Sequence, residues 1–257
     1  MASAAISAQS PNTPVSQMEN LDRGLIVIKS PSASGGTYYA SWRLLGTDDN
    51  NTYFEILRDG TSIRKNIYKT TFVNIGNKSG AFQLVTYQNG AIVDTTEPVT
   101  PWEKGYLTVT LDRPSGSDCD YSPNDCSVGD VDADGQYEIF VKWDPSNSKD
   151  NSQGGVTGNV FIDCYKLDGT KLWRVDLGPN IRAGAHYTQF MVYDFDGDGR
   201  AELMCKTAPG SKDGAGNFVN QAATLDAIKN ANNTKDWRTS DGRVNGGHEY
   251  LTVFNGQ

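Results

Sequence analysis

The strongest constraint on this chain is a nine-residue stretch that occurs twice. Positions 130–138 read D-V-D-A-D-G-Q-Y-E and positions 194–202 read D-F-D-G-D-G-R-A-E. An apolar run follows each at once, Ile139-Phe140-Val141 in one and Leu203-Met204-Cys205 in the other. A tight loop turns alternate side chains inward, so carboxylates at the first, third and fifth places bring three hard oxygen donors around one point. Glycine at the sixth place permits the bend, the seventh residue offers its carbonyl, and the ninth is again a carboxylate. That is a donor list for calcium. It assigns Asp130, Asp132, Asp134, Gln136 and Glu138 to one ion, and Asp194, Asp196, Asp198, Arg200 and Glu202 to a second. An EF-hand would need a bidentate Glu at the twelfth place and flanking helices, whereas that place is Val141 or Cys205, so each loop feeds a strand. One such loop would suit a solvated acidic turn. Two copies with the same exit strand do not.

At 257 residues the chain has room for one large or two ordinary domains. Its 23 basic and 31 acidic residues give a net charge of -8, which argues against nucleic acid or a membrane as partner. No apolar run reaches membrane-spanning length. Residues 1–20 are rich in Ala, Ser, Gln and Pro and lack a basic n-region and an apolar h-region, which reads as a flexible leader rather than an intact signal peptide. Four cysteines are too few for a disulfide scaffold. Cys119 and Cys126 bracket a turn-rich segment whose spacing suits a loop-closing disulfide of an exported protein, while Cys164 and Cys205 lie in strand-like runs as buried thiols.

Two regions differ in pattern. Residues 21–113 carry short alternating runs with turn signals between them. Strands are expected at 24–30, 37–45, 53–58, 71–75, 81–88, 91–94 and 106–112, with Asp59-Gly60 and Asn89-Gly90 as hairpin pairs. That predicts an antiparallel β-sandwich of the immunoglobulin or fibronectin kind with Trp42 in its core, a structural or docking module without visible chemistry. A Pro, Ser, Gly and Asp break at 114–124 opens the second region, 114–257. There the two loops stand 194 - 130 = 64 residues apart. Each is followed by a strand, a polar insertion, and a strand ending in a turn pair, Asp168-Gly169 or Asn255-Gly256. Such repeats predict propeller blades. The first unit continues past its turn pair into Thr170-Lys171-Leu172-Trp173-Arg174-Val175, whereas only Gln257 follows the second. An incomplete propeller is therefore expected, as in the N-terminal part of a longer protein.

Several segments are more specific: Asn124-Asp125-Cys126-Ser127-Val128-Gly129-Asp130, Lys142-Trp143-Asp144-Pro145-Ser146-Asn147, Ala183-Gly184-Ala185-His186-Tyr187-Thr188-Gln189-Phe190, Asn20-Leu21-Asp22-Arg23-Gly24 and Ser41-Trp42-Arg43-Leu44-Leu45-Gly46-Thr47-Asp48. With them the chain after its leader closely resembles the rhamnogalacturonan lyases of polysaccharide lyase family 11, secreted bacterial enzymes that cut the backbone of pectin. The resemblance implies an N-terminal β-sandwich and an eight-bladed propeller holding several calcium ions. It also implies an extracellular, monomeric protein whose partner is rhamnogalacturonan I. It further implies that Asn124 and Asp144 line the substrate funnel, that Asp125 ligates another calcium, and that the groups proposed for proton abstraction come from later blades.

Read on the residues alone, Asn124-Asp125 are turn residues after Pro123, and Asp144 caps the turn at Pro145. Lys142 and Lys206 hold the same place in both repeats, which is more often architectural than catalytic. Arg182 and His186 flank a Gly-containing bend that could face the funnel, although a lone His is more often a hydrogen-bonded structural group. The chemistry implied is β-elimination: loss of the C5 proton of a galacturonate, then of the oxygen on C4. A cation on the C6 carboxylate stabilises the enolate-like intermediate. The alternatives are a non-catalytic calcium-binding propeller or carbohydrate-binding module, and an adhesion or structural repeat.

Overall fold

Seven short strands with apolar faces turned toward one another build the first half of the computed structural model, which describes residues 19–30, 36–116, 118–184 and 186–257. The leader up to residue 18 lies outside the described residues. The chain divides into two units, one ending at Leu107 and one beginning at Thr108. In the first, β1 (Ile26–Lys29), β2 (Tyr38–Ser41) and β5 (Phe72–Asn74) form an antiparallel sheet in the order β1-β2-β5. The other sheet runs β4-β3-β6-β7, from β3 (Tyr53–Arg58), β4 (Thr61–Ile67), β6 (Phe82–Gln88) and β7 (Ala91–Thr95). Alternation explains the packing: Val27 and Ala40 of one sheet and Phe54, Ile56, Phe82 and Leu84 of the other enter a single core. Trp42 joins that core with its ring edge-on to Phe54 at 5.2 Å.

Asp59-Gly60 and Asn89-Gly90 close the β3-β4 and β6-β7 hairpins, all four residues at positive φ (49°, 75°, 50° and 82°), as a two-residue turn matched to strand twist requires. Two expectations fail. β4 was not foreseen, because T-S-I-R-K-N-I lacks clean alternation; it is a sheet edge with Arg64, Lys65 and Asn66 in solvent, where apolar residues are not needed. Residues 106–112 form no strand, since they meet no sheet edge. The Asp112 N–H instead donates to Tyr165 Oη at 3.0 Å within the second unit.

The second unit holds an antiparallel four-strand meander, β8 (Tyr121–Gly129), β9 (Glu138–Pro145), β10 (Phe161–Tyr165) and β11 (Lys171–Asp176), in the order β11-β10-β9-β8. A three-strand sheet, β12 (Phe190–Tyr193), β13 (Glu202–Thr207) and β14 (Tyr250–Phe254), has the order β12-β13-β14. Its register repeats the first: Tyr165 pairs with Ile139, and Phe254 pairs with Leu203, 64 residues beyond Ile139. Each acidic loop therefore joins the first two strands of its sheet. Phe140, Ile162, Cys164 and Val175 share one core with Leu203 and Cys205, with Phe190 and Phe254 packed on it. Burial pushes the Cys205 thiol up to about 12 and raises that of Cys164, as inert core thiols. Residues 208–249 form a largely irregular insertion with a 3-10 turn at Val219–Ala222 and one short helix, α1 (Asp226–Lys229). No helix among the described residues is long and apolar enough to cross a membrane.

Cys119 and Cys126 are both free thiols, against the disulfide expected between them. β8 begins at Tyr121 and runs extended through Cys126, which places the two on the order of 20 Å apart along the strand, beyond the reach of a disulfide.

Candidate metal centres

Both loops fold the same way, and the backbone explains how. The sixth-place glycines, Gly135 and Gly199, sit at φ 87° and 90°, a left-handed conformation that L side chains resist. The fourth place is left-handed too, at Ala133 (φ 60°) and Gly197 (φ 79°). This coil turns N–H groups onto the carboxylates. Gly135 N–H donates to Asp130 Oδ2 at 2.9 Å, and Gly199 N–H to Asp194 Oδ2 at 2.9 Å. Val131 N–H donates to Glu138 Oε2 at 2.9 Å, and Phe195 N–H to Glu202 Oε2 at 2.8 Å. Asp194 also accepts the N–H groups of Gly197 at 2.6 Å and Asp198 at 3.1 Å, so loop donors fix the carboxylates and their oxygens converge on a common point.

The result is two clusters, Asp130 with Asp132 and Glu138, and Asp194 with Asp196 and Glu202, each with ligand oxygens within 4.8 Å of one another. Asp130, Glu138, Asp194 and Glu202 are buried. Burial, with the neighbouring Asp132 and Asp134, pushes Glu138 up to about 7, although the Val131 N–H opposes it. Burial likewise raises Asp130 and Glu202. Three carboxylates gathered at one point, two of them out of water, repel one another unless a cation joins them, and an all-oxygen set fits a hard divalent ion. The donor set therefore fits the metal that the spacing predicts.

The fifth-place Asp134 and Asp198 do not enter the clusters. Each turns Oδ1 to the N–H of the seventh residue, Gln136 or Arg200, at 2.9 Å. In the first loop Lys166, just past β10, sets its ammonium 2.5 Å from Asp132 Oδ2 and 3.0 Å from Asp134 Oδ2. The spacing of the loop gives no sign of it, because Lys166 arrives from the third strand of the sheet.

A second group lies where β8 bulges. Pro123 pairs with Trp143 and Cys126 with Val141, so Asn124 and Asp125 together oppose Lys142. Lys142 is almost fully buried, and its ammonium meets Asp125 Oδ2 at 2.5 Å and the Tyr187 carbonyl at 3.0 Å. Asp125, expected as a ligand of another ion, thus faces a lysine and belongs to neither acidic cluster. Beside it a groove of about 420 Å³ is lined by Asp125, Cys126, Ser127, His186, Gln189 and Phe190. Asp144, two residues along β9 from Lys142, accepts the Ser148 hydroxyl at 3.0 Å. Lys206 shares the register of Lys142 but is half exposed and pairs with Glu249 at 2.8 Å. Arg182 does not face the groove. It donates to the carbonyls of Lys149, Gln153, Gly155 and Gly242, clamping the loop after β9 to the insertion before β14.

The chain is similar to known proteins along most of its length. Residues 106–257 match the family described as "Rhamnogalacturonan lyase family 11, C-terminal domain", and residues 16–102 match "Rhamnogalacturonan I lyases beta-sheet domain". The chain is 50% identical over 248 residues to the rhamnogalacturonan endolyase YesW of Bacillus subtilis (strain 168), covering 93% of this chain and 38% of the relative. It is 45% identical over 250 residues to the rhamnogalacturonan exolyase YesX of the same organism, covering 94% of this chain and again 38% of the relative. It thus spans well under half the length of both. The solved structure of the Bacillus licheniformis rhamnogalacturonan lyase PL11 superposes with a TM-score of 0.83 at 47% identity, over 95% of this chain and 41% of that one. With a family match across more than half its length, the chain belongs to rhamnogalacturonan lyase family 11.

Proposed function

We propose that this protein acts on rhamnogalacturonan I as a lyase, cleaving the bond to the C4 oxygen of a galacturonate by β-elimination. The observation that carries the reading is the 50% identity, across nearly the whole chain, to a protein named a rhamnogalacturonan endolyase. The two antiparallel sheets that share one core then serve as blades of a propeller, eight-bladed in the complete fold, and the first unit is its β-sandwich companion. Calcium occupies the two acidic clusters, and Gln136 and Arg200 add their carbonyls. When bound, such an ion neutralises carboxylate charge and rigidifies the loop that holds it. Since pectin lies outside cells, the protein works in the extracellular space, as a monomer.

In this reading Asn124 on the β8 bulge and Asp144 on β9 present polar groups to the sugar hydroxyls. Lys142 holds the bulge through Asp125, so the wall of the groove is set before substrate arrives. The imidazole of His186 lies on the same wall as a further polar group. A narrower reading, a calcium-stabilised module that holds the polymer without cutting it, draws support from Lys142 and Arg182. The first is committed to an ion pair and the second to backbone carbonyls, so neither is poised as a base.

The test follows the ultraviolet absorbance of the unsaturated uronate while the purified chain, with calcium, is incubated with rhamnogalacturonan I. A rise that chelator abolishes supports the lyase. Polymer retained without a rise selects the binding module. Neither a rise nor retention, from a folded calcium-loaded chain, rejects both readings.

A further inference from the structure

The two acidic loops match in sequence position, yet they differ in what already neutralises them. In the first, Asp132 and Asp134 each have one oxygen on a loop N–H and the other on the Lys166 ammonium. In the second, Asp196 and Asp198 each take one loop N–H, from Asp198 at 3.1 Å and from Arg200 at 2.9 Å. No lysine or arginine among the described residues comes within ion-pair distance of either. The register gives the reason. Tyr165 and Phe254 are equivalent, so Lys166 in the four-strand sheet stands where Asn255 stands in the three-strand sheet. A backbone difference points the same way. The left-handed fourth place is a glycine in the second loop but Ala133 in the first, where a Cβ makes that conformation unfavourable. Affinity for a hard divalent cation in an oxygen cage follows ligand charge and site rigidity. The Lys166 ammonium cancels part of the ligand charge of the first loop, and the strained Ala133 adds to the cost of closing that loop around an ion.

We propose that the two cages are unequal: the Asp194–Glu202 loop takes a divalent cation first and tightly, while in the Asp130–Glu138 loop Lys166 is an internal counter-ion that the cation must displace. The ammonium keeps the first loop folded without an ion, and the second loop has no such substitute. Lys166 is thus a positioning residue that sets the order of filling. This inference rests on the calcium reading of the two clusters.

The experiment titrates the chelator-stripped full chain with calcium chloride by isothermal calorimetry, alongside D132N, D196N, K166N and K166Q. Two classes of site at least about tenfold apart are expected, with D196N removing the tighter and D132N the weaker. K166N, which installs the residue of the second copy, and K166Q should each tighten the weaker class by about tenfold, since one unit of competing charge is removed. Two equal classes in the wild type, or a weaker class unmoved by both Lys166 variants, would overturn the proposal while leaving calcium binding intact. Absence of any binding heat would overturn the calcium reading itself, and this inference with it.

Discussion

The backbone N–H of Ala201 donates to the carbonyl of Asp130 at 2.7 Å, pinning the eighth residue of one acidic loop to the first residue of the other. Val131 and Ala201 are both fully buried at this junction. Gly256 closes over it so tightly that an added Cβ would stand 2.2 Å from the Ala201 carbonyl oxygen and 2.8 Å from Val131. The Gly256 carbonyl in turn accepts the Trp173 indole N–H at 2.7 Å. The loops are thus where the two sheets of the second unit are tied together, and disorder in one loop reaches the other sheet.

Removal of the ion should therefore be felt by the whole unit. D130A or D194A, or chelation of the wild type, is expected to lower the calcium-dependent stability by about 2–3 kcal/mol at calcium near a hundred times the dissociation constant. That corresponds to a melting temperature lower by roughly 5–10 °C. Differential scanning calorimetry with and without chelator checks it, and identical traces would remove calcium from the fold.

The fourth place of the loops offers a matched pair. A133G should stabilise the chain by about 1 kcal/mol, because a left-handed alanine is relieved. G197A should destabilise by about 1–2 kcal/mol from backbone strain alone, since its Cβ would meet no atom within 4 Å. Urea denaturation of both variants measures the pair, and shifts of the same sign would contradict it.

The Lys142–Asp125 pair is lopsided in burial, with side-chain exposures of 3% and 61%. D125A strands a buried ammonium with only the Tyr187 carbonyl and should cost about 3 kcal/mol. K142M leaves a solvated carboxylate and should cost about 1 kcal/mol, with K142M/D125A close to K142M alone. Equal losses for the two single variants would show that Asp125 does something other than pair with Lys142.

Arg182 meets four carbonyls from two segments with one planar fork, a geometry that lysine does not reproduce. Both R182K and R182M should lose about 2–4 kcal/mol in chemical denaturation without changing retention of rhamnogalacturonan. A loss of retention with stability preserved would move Arg182 into the binding wall.

What the sequence made legible followed from local chemistry. The loops, the Asp59-Gly60 and Asn89-Gly90 hairpins and the core place of Trp42 each depend on residues close together in the chain, so spacing carries them. What it concealed depends on partners distant in sequence. β4 is a strand because β3 offers it an edge, not because its residues alternate. Cys119 and Cys126 look like neighbours until β8, which begins at Tyr121, carries Cys126 away along the strand. The clamp made by Arg182 and the counter-ion role of Lys166 both require knowing which strand lies beside which, and no local pattern encodes that. Spacing counts Asp134 and Asp198 as donors, and each sets one carboxylate oxygen on a loop N–H, a contact that spacing does not show.

Diffraction from crystals grown with calcium, with anomalous scattering to identify the ion, tests the double cage most directly. Density is expected among the carboxylates of Asp194, Asp196 and Glu202 and, at higher calcium, among those of Asp130, Asp132 and Glu138, with Lys166 swung away. Empty clusters at saturating calcium, with Lys166 still on Asp132 and Asp134, would contradict it.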